Sequence, residues 1–186
     1  MAADAKGFTP LHLAARSGHA AVVQLLLAAA PEAAMAADTD GDTPLHRAAW
    51  DGHAAVVQLL LVAAPEAAMA ADTDGDTPLH LAAWDGHAAV VQLLLVAAPE
   101  AAMVATPAGA TPLHFAAGEG HSEVVQLLLL AAPEQALSAS TDGSTPLHPA
   151  AREGHSRVVQ LLLQAAPEAA ATANISGNTP MHLAAW

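Results

Sequence analysis

Eleven histidines, three tryptophans and two copies of the acidic hexapeptide DTDGDT (residues 38–43 and 72–77) are the groups in this 186-residue chain whose side chains could do chemistry. Imidazoles can ligate a metal or carry a proton. Carboxylates spaced around a glycine can hold calcium. An indole beside carboxylates can grip a cation. The pattern in which these residues recur decides between the possibilities.

The histidines fall into two slots. Six close a Thr-Pro-Leu-His or Thr-Pro-Met-His tetrad: His12, His46, His80, His114, His148 and His182. Five follow a glycine: His19, His53, His87, His121 and His155. Dedicated metal or catalytic sites rarely come in uniform copies without supporting ligands, so a structural role outweighs a zinc or catalytic one. The hexapeptide fails as an EF-hand loop, which places glycine sixth and a bidentate glutamate twelfth. Here glycine is fourth, and the twelfth residue from Asp38 is Ala49. The same slot elsewhere reads DAKGFT, TPAGAT, STDGST and NISGNT. The glycine and the final threonine persist and the acids do not, so the slot is a turn around a left-handed glycine that forms without calcium. Only loose cation association with its acidic tip is expected, and Asp40 and Asp42 are passengers on the turn.

Trp50, Trp84 and Trp186 share one slot, which other units fill with Arg16, Gly118 and Arg152. A slot that accepts tryptophan, arginine or glycine is a surface position. Asp51 and Asp85 follow the two internal tryptophans, and Asp40, Asp42, Asp74 and Asp76 stand on the adjacent turn tips. Units stacked at the roughly 8–10 Å of packed helices would set two indoles side by side, ringed by carboxylates. Such a patch suits an arginine- or lysine-bearing segment. The alternative is that one tryptophan was simply copied by duplication. The slot after each tetrad holds Leu13, Arg47, Leu81, Phe115, Pro149 and Leu183. Arginine there suggests partial exposure, so Phe115 adds to the candidate surface, and Pro149 costs its helix one backbone bond.

The elements that must position these groups follow from a period. The tetrad begins at Thr9, Thr43, Thr77, Thr111, Thr145 and Thr179, once every 34 residues. The units span about 4–37, 38–71, 72–105, 106–139 and 140–173, with a partial unit 174–186. The second and third differ only at Arg47 against Leu81 and Ala70 against Val104. In each unit a threonine N-cap precedes a proline at the first helical position, where its missing N–H is no loss. Two helical turns follow and a glycine ends them. A second segment carries apolar residues on more than one side (Val56, Val57, Leu59, Leu60, Leu61), as a helix covered on both flanks requires.

The pattern D-x-x-G-x-T-P-L-H-x-A-A-x-x-G-H-x-x-V-V-x-L-L-L resembles the ankyrin repeat, five times over plus a partial sixth. The resemblance implies an all-α, ankyrin-type helical solenoid forming a single domain over 1–186, with β-hairpin-like fingers between units. It also implies tetrad histidines bonded to turn backbone with help from the threonine hydroxyl, and protein–protein binding without catalysis on the concave face of fingers and first helices. If those imidazoles are neutral and partly buried, stability should fall as pH drops below about 6.5. The chain departs from the family in its 34-residue units and in a Pro-Glu at Pro31, Pro65, Pro99, Pro133 and Pro167, where a helix-ending glycine is usual. Proline at a first helical position with glutamate beside it predicts a short helical turn at each.

Composition bounds the partners. Five basic residues against 18 acidic ones give a formal net charge of −13, which repels nucleic acid and anionic lipid and favours a basic protein or peptide. With no cysteine, disulfides and thiol catalysis are excluded, and a reducing compartment fits. The N-terminus carries no secretory pattern, and apolar runs such as VVQLLLVAA are too short and too broken to span a bilayer. An intracellular, cytoplasmic protein is expected. No nucleophile elbow, P-loop or dinucleotide fingerprint occurs, so neither an enzyme nor a cofactor is expected. Neither end carries a polar cap, which suggests a longer array or end-to-end self-association. Two readings result: a non-catalytic binding module for a basic partner, or a structural or consensus-like array without a dedicated ligand.

Overall fold

The computed structural model describes residues 3–184, so Trp186 lies outside it. Each repeat builds a helix pair: α1 (Pro10–Arg16) and α2 (Ala20–Ala29), α3 (Pro44–Trp50) and α4 (Ala54–Ala63), α5 (Pro78–Trp84) and α6 (Ala88–Ala97), α7 (Pro112–Gly118) and α8 (Ser122–Ala131), α9 (Leu147–Arg152) and α10 (Ser156–Ala165), then α11 (Pro180–Leu183). A five-residue 3₁₀ turn follows each second helix at Pro31–Met35, Pro65–Met69, Pro99–Met103, Pro133–Leu137 and Pro167–Ala171. The Pro-Glu insertions therefore start helical turns, proline first and glutamate in the first turn.

The chain divides into two compact units, Met1–Ala82 with Ala89–Ala101 and Ala83–Ala88 with Ala102–Trp186. In the first, α1 packs on α3 and α2 on α4 over Leu11, Val23, Leu45, Val57 and Leu60. In the second, α7 packs on α9 and α8 on α10 over Leu113, Val125, Leu128, Leu147 and Leu162. Small alanines at Ala14, Ala15, Ala48 and Ala49 are buried and let the first helices approach closely. The second helices bury one stripe, Val56, Val57 and Leu60 in α4, while Leu59 and Leu61 are half-buried.

Pro149 shifts its helix. Elsewhere the residue after the tetrad donates its N–H to the N-cap carbonyl, as Arg47 does to Thr43 and Leu81 to Thr77 (both 3.3 Å). Proline cannot donate, and α9 begins one residue later than its counterparts.

Between repeats the chain makes a tight turn, and no strand forms among the described residues. Gly41 N–H donates to the Asp38 carbonyl (3.1 Å), and Asp38 N–H to the Asp42 carbonyl (3.0 Å). The Asp38 Oδ1 accepts the N–H groups of Asp40 (2.9 Å) and Asp42 (3.1 Å). Successive turns share one backbone bond, Thr39 N–H to Lys6 O and Thr73 N–H to Asp40 O. Gly41 has φ +85, and a Cβ there would lie 2.9 Å from the Thr73 nitrogen, so both conformation and space demand glycine.

Candidate partner-binding surface

Histidines fasten the turns to the helices. Thr43 N–H donates to His46 Nδ1 (3.1 Å), with the Thr43 hydroxyl 2.9 Å from the same nitrogen. Accepting at Nδ1 leaves the proton on Nε2, which donates to the carbonyl of Asp76 in the next turn (3.2 Å). His12 does the same between Thr9 and the Asp42 carbonyl, and His114 between Thr111 and the Ser144 carbonyl. Burial lowers the pKa of His12 and His114 and takes that of His46 down to about 4, so these rings are neutral near pH 7. The tetrad histidines hold structure, and no group of three or more metal-ligating side chains forms among the described residues.

The glycine-linked histidines have a role that spacing did not reveal. His53 Nε2–H donates to the Arg16 carbonyl (2.9 Å), His121 to that of Trp84 (2.8 Å) and His155 to that of Gly118 (2.9 Å). Each pins the last turn of the previous first helix, where the variable surface slot sits. A Cβ on Gly18 would lie 2.7 Å from the His53 ring, so the ring needs that glycine as its floor.

The sequence-selected residues divide between the two compact units. In the first, Trp50 is 44% exposed, and Asp40, Asp51 and Asp74 are exposed. Trp50, Asp51, Asp42, Asp72, Asp74 and Asp76 line one recess of about 270 Å³, together with Arg16, His46, Arg47 and Leu81. In the second, Trp84 is 43% exposed and lies 5.2 Å from the half-buried Phe115, ring centroid to centroid. Asp85 reaches His87 Nε2 at 2.8 Å. A separate recess of about 640 Å³ in that unit is apolar, lined by Leu147, Val159, Leu163 and Met181 among others.

One expectation needs correction. Asp42 is not a free carboxylate on a turn tip: it is 8% exposed and lies 2.9 Å from Arg47. Arg47 rises from α3 to close its own repeat's turn, 2.6 Å from Asp38, 2.9 Å from Asp42 and 3.8 Å from Asp40, with Phe8 under the guanidinium at 5.0 Å. Burial tends to raise the Asp38 pKa, but hydrogen bonds from Arg47 and from the Asp40 and Asp42 N–H groups hold it below the ordinary value. For Asp42 burial prevails over Arg47, and its pKa rises to about 6. Sequence reasoning missed this clamp. Its signal was the single base nine residues after Asp38, in a slot otherwise filled by Leu, Phe or Pro.

The third repeat repeats the acids without the base. Asp72 Oδ1 accepts the N–H groups of Asp74 and Asp76 (both 2.9 Å), as Asp38 does in its own turn. Leu81 stands where Arg47 would be, and among the described residues no ion pair reaches Asp72, Asp74 or Asp76. Burial, then Asp72 and Asp74, push the Asp76 pKa up to about 6. Its Oδ1 is buried without a hydrogen-bond partner.

Family models described as "Ankyrin repeats (3 copies)" match residues 1–70 and 61–139, and one described as "Ankyrin repeats (many copies)" matches residues 136–184. No curated protein matches the chain. No helix among the described residues is long and apolar enough to cross a membrane.

Proposed function

The chain belongs to the ankyrin repeat family, whose repeats are generally protein–protein interaction modules, and we propose that it is a non-catalytic module binding a basic protein or peptide on its turns and first helices. The turns act as the family's fingers. The observation that carries the reading is the recess where Trp50 stands among Asp51, Asp72, Asp74 and Asp76. An indole face and several carboxylates offer a cation both stacking and charge-assisted hydrogen bonds. Trp84, Phe115 and Asp85 form a second contact set. A chain of net charge −13 attracts such a partner from a distance and discourages nucleic acid and anionic lipid.

Titration of the full chain with a peptide of alternating lysine and arginine, at low and at high salt, tests the reading. Binding should weaken as salt rises, and Trp50→Ala should weaken it about tenfold. An affinity unmoved by both Trp50→Ala and Asp51→Asn would move the binding surface elsewhere.

A further inference from the structure

One interface recurs between repeats, and each of its two halves also stands open once. Where it is made, a second helix packs on the second helix before it, α4 on α2 and α10 on α8. The valines that enter this contact, Val56 and Val158, are buried. A glycine-linked histidine crosses with them: His53 Nε2–H reaches the Arg16 carbonyl over Gly18, and His155 Nε2–H that of Gly118 over Gly120. In the first repeat the same flank is uncovered. Leu25 is 71% exposed, Val22 and Leu13 are exposed, and Pro10 is exposed where Pro44 is buried. The exposed His19 ring has no hydrogen-bond partner among the described residues.

The fifth repeat presents the opposite half. A Cβ on Gly154 would meet nothing within 4 Å, whereas on Gly18 or Gly120 it would strike the histidine of the following repeat. Val159 is half-buried where Val57 and Val125 are fully buried, and with Leu163 it lines the apolar recess of about 640 Å³. α11 covers this flank incompletely. It has four residues, and Met181, in the slot of the fully buried Leu11 and Leu45, is 73% exposed.

We infer that a second copy of the chain docks its first repeat on this flank, α2 against α10 and α1 in the place of α11 beside α9. Continuity names the occupant: the recess extends the packing of α10 on α8, and the open flank of α2 is the surface that this packing uses. The exchange replaces the four residues of α11 with the seven of α1, whose Leu11 and His12 are already buried. It removes Leu13, Val22 and Leu25 from water, and it sets His19 Nε2–H against the Arg152 carbonyl over Gly154. The contact is heterologous, so it repeats from copy to copy.

Sedimentation of the full chain from about 1 µM to about 1 mM reads the association. Mass should rise with concentration and pass beyond the dimer. Val22→Glu with Leu25→Glu, at positions exposed in the single chain, should leave a monomer of unchanged circular dichroism. Leu163→Glu should do the same from the other side, with Ser156→Glu, exposed at the start of α10, in its place if that chain fails to fold. An equimolar mixture of the two kinds of variant keeps one good half on each and should give one-to-one dimers and nothing larger. The Gly177 amide signal should move as the natural chain associates, because its segment leaves α9. A natural chain that stays monomeric throughout, growth that survives both kinds of variant, a mixture without dimers, or a Gly177 signal fixed while mass rises would each overturn the inference. None of these residues lines the Trp50 recess, so the basic-partner reading stands or falls separately.

Discussion

The turn at Asp38–Asp42 is closed by its own guanidinium, and the turn at Asp72–Asp76 is not. The backbone is the same in both: one aspartate Oδ1 accepts two N–H groups, a glycine occupies the left-handed region, and a histidine from the preceding repeat holds the last carbonyl. The difference is one residue in α3 and α5, Arg47 against Leu81. The repeat frame therefore does not depend on neutralising the acids, and the slot after the tetrad sets the charge the turn presents. In the second repeat that slot turns a base inward onto the acids; in the third it holds an apolar side chain.

The largest effect should come from the part the turns share. His12→Ala and His46→Ala each leave a buried N–H and a carbonyl without partners, plus a void, and should cost about 3 kcal/mol in urea unfolding at pH 7. Near-equal costs would confine the difference between the turns to Arg47 and Leu81. A His46→Ala far milder than His12→Ala would break the comparison.

Next in size is Arg47→Leu, which turns the second repeat into a copy of the third at that position. It strands Asp38, whose side chain is only 1% exposed, and should cost about 2 kcal/mol at pH 7. The loss should shrink by pH 4, where Asp42, with a pKa of about 6, is already protonated.

The reverse exchange, Leu81→Arg, should gain about 1 kcal/mol at pH 7, because the new cation compensates Asp72 and Asp76. Its pH dependence carries a second signature. His12, His46 and His114 have folded pKa values below the unfolded 6.5, so the unfolded chain binds more protons and their stability is lost as pH falls below 6.5. Asp42 and Asp76 are raised to about 6, so the folded chain binds more protons and stability is recovered as pH falls through about 6. The two slopes oppose each other in the natural chain. Asp42 keeps its raised pKa beside Arg47, so Leu81→Arg should keep the Asp76 recovery as well, and thermal midpoints between pH 7.5 and 4.5 should fall in parallel in the two chains. The smallest effect is that of Trp50→Ala, which should change stability by less than about 0.5 kcal/mol while weakening basic-peptide binding.

What the sequence made legible was local. The 34-residue period, the threonine caps, the glycine turns and the Pro-Glu 3₁₀ segments depend on neighbours within a few residues, and each could be read from propensity and spacing. The surface slot at Trp50 and Trp84 was legible because its residue types vary. The burial of Asp42 and the reach of Arg47 were not, because they depend on how one turn leans on the next. Nor was the second histidine set, whose bonds join residues 37 apart and exist only once repeats pack. The turns form no strand among the described residues, and a hairpin-like finger is not confirmed.

The most direct measurement is the titration of the Asp38 carboxylate by carbon-13 NMR in the natural chain and in Arg47→Leu. A turn closed by arginine predicts a pKa below the ordinary carboxylate value in the natural chain and a rise once leucine replaces the base. The same pKa in both chains would contradict the account, since Arg47 and Leu81 would then make no electrostatic difference to the turns they face.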